Sequence, residues 1–268
     1  MNTYKLILIV THNKDPHSIP TINSLRQLGM LTCKEYKTVV WVNESGLTNV
    51  QLEGVDVILS DINESLSCIY NEIIHNRYKG YESVTIFDDD TDISDRTFFE
   101  HKNVTGPYVI APTVTYNGEK VYPIKINDNS IIDNDEYISG VKSINSGLTI
   151  NREAVDILKK KYGCVFDSRF SFYGVDFSLF YRLNENREIT INQIGNIEHS
   201  LSRLESSYEI NSFRWKQKIF ENILMVRNYP KYNSKIILFK VLVKLLMSLN
   251  VSTIKEALKV MLDNKSCM

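Results

Sequence analysis

Apolar residues in this chain gather in short, nearly continuous runs separated by stretches with a helical repeat. Residues 4–11 (YKLILIVT), 36–42 (YKTVVWV), 55–59 (VDVIL) and 82–87 (ESVTIF) are rich in Val and Ile, the pattern of strands covered on both faces. Between them, Ile19, Ile22, Leu25 and Leu28 recur every three residues after Pro16 and stop at Gly29, while Leu66, Ile69, Ile73 and Ile74 share a stripe within residues 63–78. Both stretches read as helices. Strand and helix in alternation predict an α/β fold with a doubly wound, mostly parallel sheet. In such a sheet the ligand lies beyond the carboxyl ends of the strands.

After residue 106 the pattern loosens into β-like pieces, GPYVIAPTV and EKVYPIKI, then a polar stretch, NDNSIIDNDEY, that reads as a surface loop. A helix is expected after Asn151 (REAVDILKKKY) and another over residues 175–186, followed by a short strand, EITINQI. From Tyr208 the pattern is helical to the end. The expected division is an α/β domain over 1–210 and a helical C-terminal extension over 211–268.

Charge supports that division. The 268 residues carry a formal net charge of −1, but residues 1–210 hold 20 Lys+Arg against 29 Asp+Glu, a net of −9, and residues 211–268 hold 11 against 3, a net of +8. The balance argues against nucleic acid as a partner. The four cysteines are scattered without a C-x-x-C pair and the five histidines without an H-E-x-x-H, so neither a disulfide framework nor a zinc site built from them is expected. The apolar start reads as a first strand, not an export signal.

The sharpest chemical feature is Phe87-Asp88-Asp89-Asp90-Thr91-Asp92, where a buried strand runs directly into four carboxylates. Their mutual repulsion is relieved by a cation, and hard divalent ions such as Mg²⁺ or Mn²⁺ combine protein carboxylates with substrate phosphates. A solvated acidic turn is the plain alternative. A haloacid-dehalogenase-type phosphatase would need Thr at the place of Asp92, and no Gly-rich phosphate loop occurs anywhere in the chain. Sugar transfer with a D-x-D motif survives this comparison.

At these residues the chain resembles bacterial family-2 glycosyltransferases of the GT-A fold, over about residues 4–229. Thr11-His12-Asn13 is similar to the end of the family's first strand, which helps hold the donor nucleobase. Val42-Asn43-Glu44-Ser45 falls where the family carries an Asp-containing turn, here without the Asp and one residue shorter. Asn63 opens a segment similar to the family's N-x-G, without the Gly. Phe87-Asp88-Asp89-Asp90-Thr91 matches the D-x-D-T strand end. Asn145-Ser146-Gly147 resembles the N-S-G segment bordering the acceptor. Phe166-Asp167, then Tyr173-Gly174-Val175-Asp176 and Arg182, resemble the F-D and helix-start motif whose second Asp is the catalytic base. His199 matches a His near metal and diphosphate, and Arg227-Asn228-Tyr229 an R-N-Y motif of the rhamnosyltransferase-like branch.

The resemblance implies Asp176 as base, with Asp90, Asp88 and His199 at an Mn²⁺ or Mg²⁺ ion. Donor contacts fall to Thr11, Asn13, Asn43, Asn63, Asp88, Asp89 and Arg203, and acceptor contacts to Ser146, Gly147, Tyr173 and Gly174. It further implies an inverting hexosyl transfer from a nucleotide sugar, UDP-linked or, in competition, dTDP-rhamnose. The acceptor would be a lipid-linked saccharide such as GlcNAc-diphosphoundecaprenol, in O-antigen or other surface-polysaccharide assembly. A nucleotidyl- or phosphotransferase and a non-catalytic assembly scaffold are the other readings. Residues 235–250 are very apolar but interrupted by Lys240 and Lys244, short of the ~20 residues that span a bilayer. With Lys255 and Lys259 at the same spacing, this segment is expected to lie on an anionic membrane surface, peripherally at the cytoplasmic face of the inner membrane. A helical pair packed on the core is the alternative.

Overall fold

The computed structural model describes residues 4–100, 104–132, 137–200, 209–210, 212–248 and 250–266. The first apolar run forms β1 (Tyr4–His12), with Leu6, Ile7, Leu8 and Ile9 fully buried. β1 is central because it has no polar face. It pairs in parallel with β2 (Tyr36–Asn43) and with β4 (Tyr81–Asp88), and β2 pairs in parallel with β3 (Val55–Leu59). The four expected strands thus form one parallel block. Registers His12 opposite Asn43 and Val10 opposite Asp88 bring three carboxyl ends to a common rim.

The full sheet has eight strands, ordered Tyr137–Ile138, Thr190–Asn192, Tyr108–Ile110, Leu148–Asn151, β4, β1, β2, β3. Leu148–Asn151 runs antiparallel to both of its neighbours, so the sheet is mixed but mostly parallel, as expected. The piece GPYVIAPTV is not one strand. It breaks at Pro112, which lacks the N–H a continuous ladder requires. Tyr108–Ile110 stays in the main sheet, and Thr113–Tyr116 enters a second sheet with Thr91–Asp92, Asn196–His199 and Glu119–Tyr122.

Helix α1 (Pro20–Gln27) opens with Pro, whose fixed φ suits that position, and the chain turns out of it at Gly29 with φ +69. The second expected helix is α2 (Leu66–Glu72), continued by one wider turn over Ile73–Arg77. That turn buries both Ile73 and Ile74. Helix α3 (Arg152–Tyr162) is capped by the Asn151 side chain, which accepts the Ala154 N–H at 3.0 Å. Helix α4 (Val175–Asn184) follows Gly174.

Three further helices, Phe213–Asn228, Ile236–Ser248 and Val251–Asp263, complete the described chain. Trp215, Ile219, Phe220, Ile223 and Leu224 of the first join the same apolar core as the sheet. The other two rest on it.

Candidate functional site

The site grows from the carboxyl end of β4. Asp88 is its last residue, Asp89 and Asp90 form the turn, and Thr91–Asp92 starts the small sheet. There Thr91 pairs antiparallel with His199, so backbone pairing delivers an imidazole 108 positions further on to the acidic turn. His199 Nε2 lies 3.3 Å from Asp88 Oδ2, and Nδ1 lies 3.2 Å from Asp90 Oδ1. One donor atom from each of the three residues falls within 4.8 Å of the others. Two carboxylates and one imidazole suit a divalent ion of the Mg²⁺ or Mn²⁺ type.

Electrostatics agree with a place made for positive charge. Burial raises the Asp90 pKa above the ordinary carboxylate value, and Asp88 and Asp89 push the same way, against His199 and the Ser200 hydroxyl. The Ser200 Oγ donates to Asp90 at 2.5 Å. Burial pulls the His199 pKa down, but the hydrogen bond it donates to Asp88 and the charges of Asp88 and Asp90 more than offset it, leaving the imidazole above its usual value.

Asp88, Asp89 and Asp90 line a cleft of ≈ 590 Å³ with Thr11, Asn43, Asn63, Tyr173, Asp176 and His199, a volume within the range of small-molecule sites. Of the sequence-predicted residues, these nine converge. Asp89 turns toward β1: it accepts from the Thr11 hydroxyl and pairs with Lys14 Nζ at 2.9 Å. Asn43 is tied into its own wall, donating to Asn63 Oδ1 at 2.7 Å and to the Glu64 carbonyl at 2.8 Å and accepting the Glu64 N–H at 2.9 Å. Asp176 stands in the first turn of α4, where the helix dipole favours a carboxylate.

Four predicted residues do not line the cleft. Asn13 donates its N–H to the Asn43 carbonyl at 2.9 Å. Ser146 supports the acidic turn from beneath, accepting the Asp88 N–H at 3.2 Å and sharing a 2.5 Å bond with Thr91 Oγ1. Gly147 has φ +78 and donates to the Ile86 carbonyl at 2.7 Å; a Cβ there would lie 2.6 Å from Pro112. Gly174, at φ +89, would bring a Cβ within 2.6 Å of the Phe170 ring. Arg203 lies outside the described residues.

The cleft also holds groups that motif reading passed over. Asn145, beside Ser146, is 3% exposed, and neither of its amide atoms completes a hydrogen bond among the described residues, although it stands next to the Tyr70 hydroxyl. Tyr70 forms part of the cleft wall, and burial drives its pKa well up, with Asp88 and Asp176 adding to the effect. Lys14, Phe213 and Arg214 line the cleft too. Phe213 packs on Phe172 at 5.5 Å between centroids, so the basic C-terminal segment brings a guanidinium to the cleft beside Lys14. Lys14 and Arg214 had no motif, and the burial of the Asn145 amide beside Tyr70 is visible only in three dimensions.

Asp167 and the R-N-Y segment build something else. Asp167 accepts from Arg169 Nε at 2.8 Å and from the Tyr229 hydroxyl at 2.7 Å, with Arg182 at 3.3 Å. Arg182 also donates to the carbonyls of Cys164 and Val165, each at 3.0 Å. Asn228 donates to Asn264 Oδ1 at 2.8 Å. This network ties α4, which carries Asp176, to the C-terminal helices.

No protein-family model matches this sequence, and no curated protein matches it. Solved structures do match. GalNAc-T7, solved with UDP, GalNAc and Mn²⁺, superposes with a TM-score of 0.55 at 11% identity, over 84% of this chain and 48% of that one. TarS 1-349 of S. aureus, in complex with UDP, gives 0.51 at 15% identity, over 84% and 65%. The mannosyltransferase PcManGT from Pyrobaculum calidifontis, with GDP-Man and Mn²⁺, gives 0.53 at 11% identity, over 100% and 77%. This chain therefore spans about half the length of GalNAc-T7 and under two thirds of the TarS chain. The shared fold is GT-A.

Proposed function

We propose that this chain is a metal-dependent, inverting glycosyltransferase that moves a hexose from a nucleotide sugar to a lipid-linked saccharide. The observation that carries the reading is the convergence of Asp88, Asp90 and His199 at the end of β4, in a cleft that also holds Asp176. The GT-A fold supports it, as do structural neighbours solved with a nucleotide or nucleotide sugar and Mn²⁺.

Asp88, Asp90 and His199 would hold the Mn²⁺ or Mg²⁺. Such an ion supplies Lewis-acid stabilisation of charge on a departing diphosphate. Lys14 and Arg214 place two fixed cations on the same cleft, where a guanidinium suits planar, bidentate contact with phosphate oxygens. Asp176 takes the proton of the acceptor hydroxyl as its oxygen attacks the anomeric carbon. The bond to the nucleoside diphosphate breaks on the opposite side, and the configuration inverts.

A UDP-sugar such as UDP-Gal or UDP-Glc is the favoured donor and dTDP-rhamnose its competitor. GlcNAc-diphosphoundecaprenol is the favoured acceptor, in O-antigen or related surface-polysaccharide assembly. These choices rest on the motif resemblance and on the basic, apolar C-terminal helices. The test incubates the full chain and Mn²⁺ with a panel of nucleotide sugars and a synthetic GlcNAc-diphospho-lipid, read by mass spectrometry. The expected product is the lipid extended by one hexose, with nucleoside diphosphate released. Release of pyrophosphate or inorganic phosphate would assign nucleotidyl or phosphoryl transfer instead. Absence of any nucleotide-sugar turnover would leave a non-catalytic protein.

A further inference from the structure

Ten of the fourteen exposed large apolar side chains among the described residues lie on two helices, Ile236–Ser248 and Val251–Asp263. Both helices rest on the helix Phe213–Asn228, with Val241 and Leu245 of one and Ala257 and Val260 of the other turned inward. A helix that merely covers a core presents a polar outer face. Here the outer face is apolar as well: Phe239 is 67% exposed, Leu246 70%, Met247 67% and Leu262 81%.

The outward positions repeat. Ile236, Val243, Leu246 and Met247 are exposed on the first helix, and the residues fifteen places later, Val251, Leu258, Met261 and Leu262, are exposed on the second. Lysines obey the same offset, Lys240 with Lys255 and Lys244 with Lys259, and all four are exposed. At 3.6 residues per turn, each lysine pair borders its helix's apolar arc on the same side. Two unlike sequences thus place one pattern, an apolar stripe edged by cations, on adjoining helices that share one support.

Charge selects the occupant. The first of these helices contains no acidic residue, and the second contains only Glu256 and Asp263. Glu256 is paired with Lys216 at 3.0 Å. A second copy of this chain seated on the face would bring two net-positive surfaces together. An anionic bilayer surface takes apolar side chains below its headgroups and lysines at its phosphates. Among the described residues no helix is long and apolar enough to cross a membrane. We propose that this helical pair docks the protein flat on an anionic lipid surface. Phe213 and Arg214, at the start of the supporting helix, line the cleft, so docking would fix the height of the site above the lipid.

The inference stands apart from the transfer chemistry, because lipid binding is read without substrate. The full chain of 268 residues is sedimented with phosphatidylcholine vesicles, with and without phosphatidylglycerol, alongside light scattering of the protein alone. The expected result is binding to the anionic vesicles that weakens with salt. Leu246→Glu with Leu262→Glu should abolish it while melting temperature stays unchanged. Lys240→Gln and Lys244→Gln should each weaken it about fivefold. Failure of the wild-type chain to bind anionic vesicles overturns the proposal, as does equal binding to vesicles lacking phosphatidylglycerol. A solution dimer dispersed by the Leu246 and Leu262 changes would assign the face to a second copy instead.

Discussion

Asp167 and Asp90 are both carboxylates in short motifs near a strand or helix end, but their surroundings differ in sign. Asp167 is 2% exposed and meets two guanidiniums and a phenol. Burial alone would raise its pKa, and Arg169, Arg182 and Tyr229 together hold it below the ordinary range. Asp90 has only His199 and a hydroxyl in its favour, with Asp88 and Asp89 beside it, and its pKa is raised. The first cluster balances its own charge and acts as a latch. The second is short of positive charge, which is what a cation site needs before its ion arrives. Motif spelling does not separate the two; partner charge does.

Several substitutions can break or sharpen this contrast. Asp176→Asn, in the under-compensated cleft, should lower kcat by about 10²–10⁴-fold while nucleotide-sugar affinity by calorimetry is kept; unaltered turnover would remove it as the base. Asp167→Asn should destabilise the protein by about 3–5 kcal/mol, because it strands buried Arg182; an unchanged unfolding curve would show the latch to be dispensable. Asp90→Asn should cost about 10²–10³-fold in turnover, as losing an electrostatic stabiliser does. It should not lower the melting temperature of the metal-free protein, since it relieves repulsion. Loss of stability there would erase the contrast.

Two smaller effects refine it. Asn145→Ala should raise KM by up to about tenfold, the worth of one hydrogen bond, with a smaller loss of stability than Asp167→Asn, since its polar side-chain neighbour among the described residues is the Tyr70 hydroxyl alone. The last concerns acid. A carboxylate with a depressed folded pKa contributes stability above its unfolded value of about 3.9 and loses it as pH falls through the folded value. The gap in melting temperature between wild type and Asp167→Asn should therefore close below about pH 4. A gap constant with pH would mean the ion pair is not what the latch stores.

Much of the frame was legible in the chain. The four Val- and Ile-rich runs are β1 to β4 with ends moved by a residue or so, because strands buried on both faces leave an unbroken apolar signature. The acidic strand end was equally plain. Strand Leu148–Asn151 was harder to read, since its antiparallel insertion beside β4 depends on the turn at Gly147. Ser146 and Asn145 are chain neighbours, yet one props the turn and the other lines the cleft. Motif matching cannot say which of two adjacent residues points inward. Arg214 carried no motif at all, because its place depends on where a C-terminal helix packs.

By itself, then, the sequence determined which segments are buried strands, which strand ends in carboxylates, and that a basic, apolar tail follows an acidic body. These are local properties, written in the spacing of side chains along the chain. Tertiary structure decided that His199 completes the acidic turn, that Asp167 is neutralised while Asp90 is not, and that two helices point the same stripe outward. Each of those depends on distances between residues far apart in sequence, and Coulomb and hydrogen-bond energies depend on distance in space.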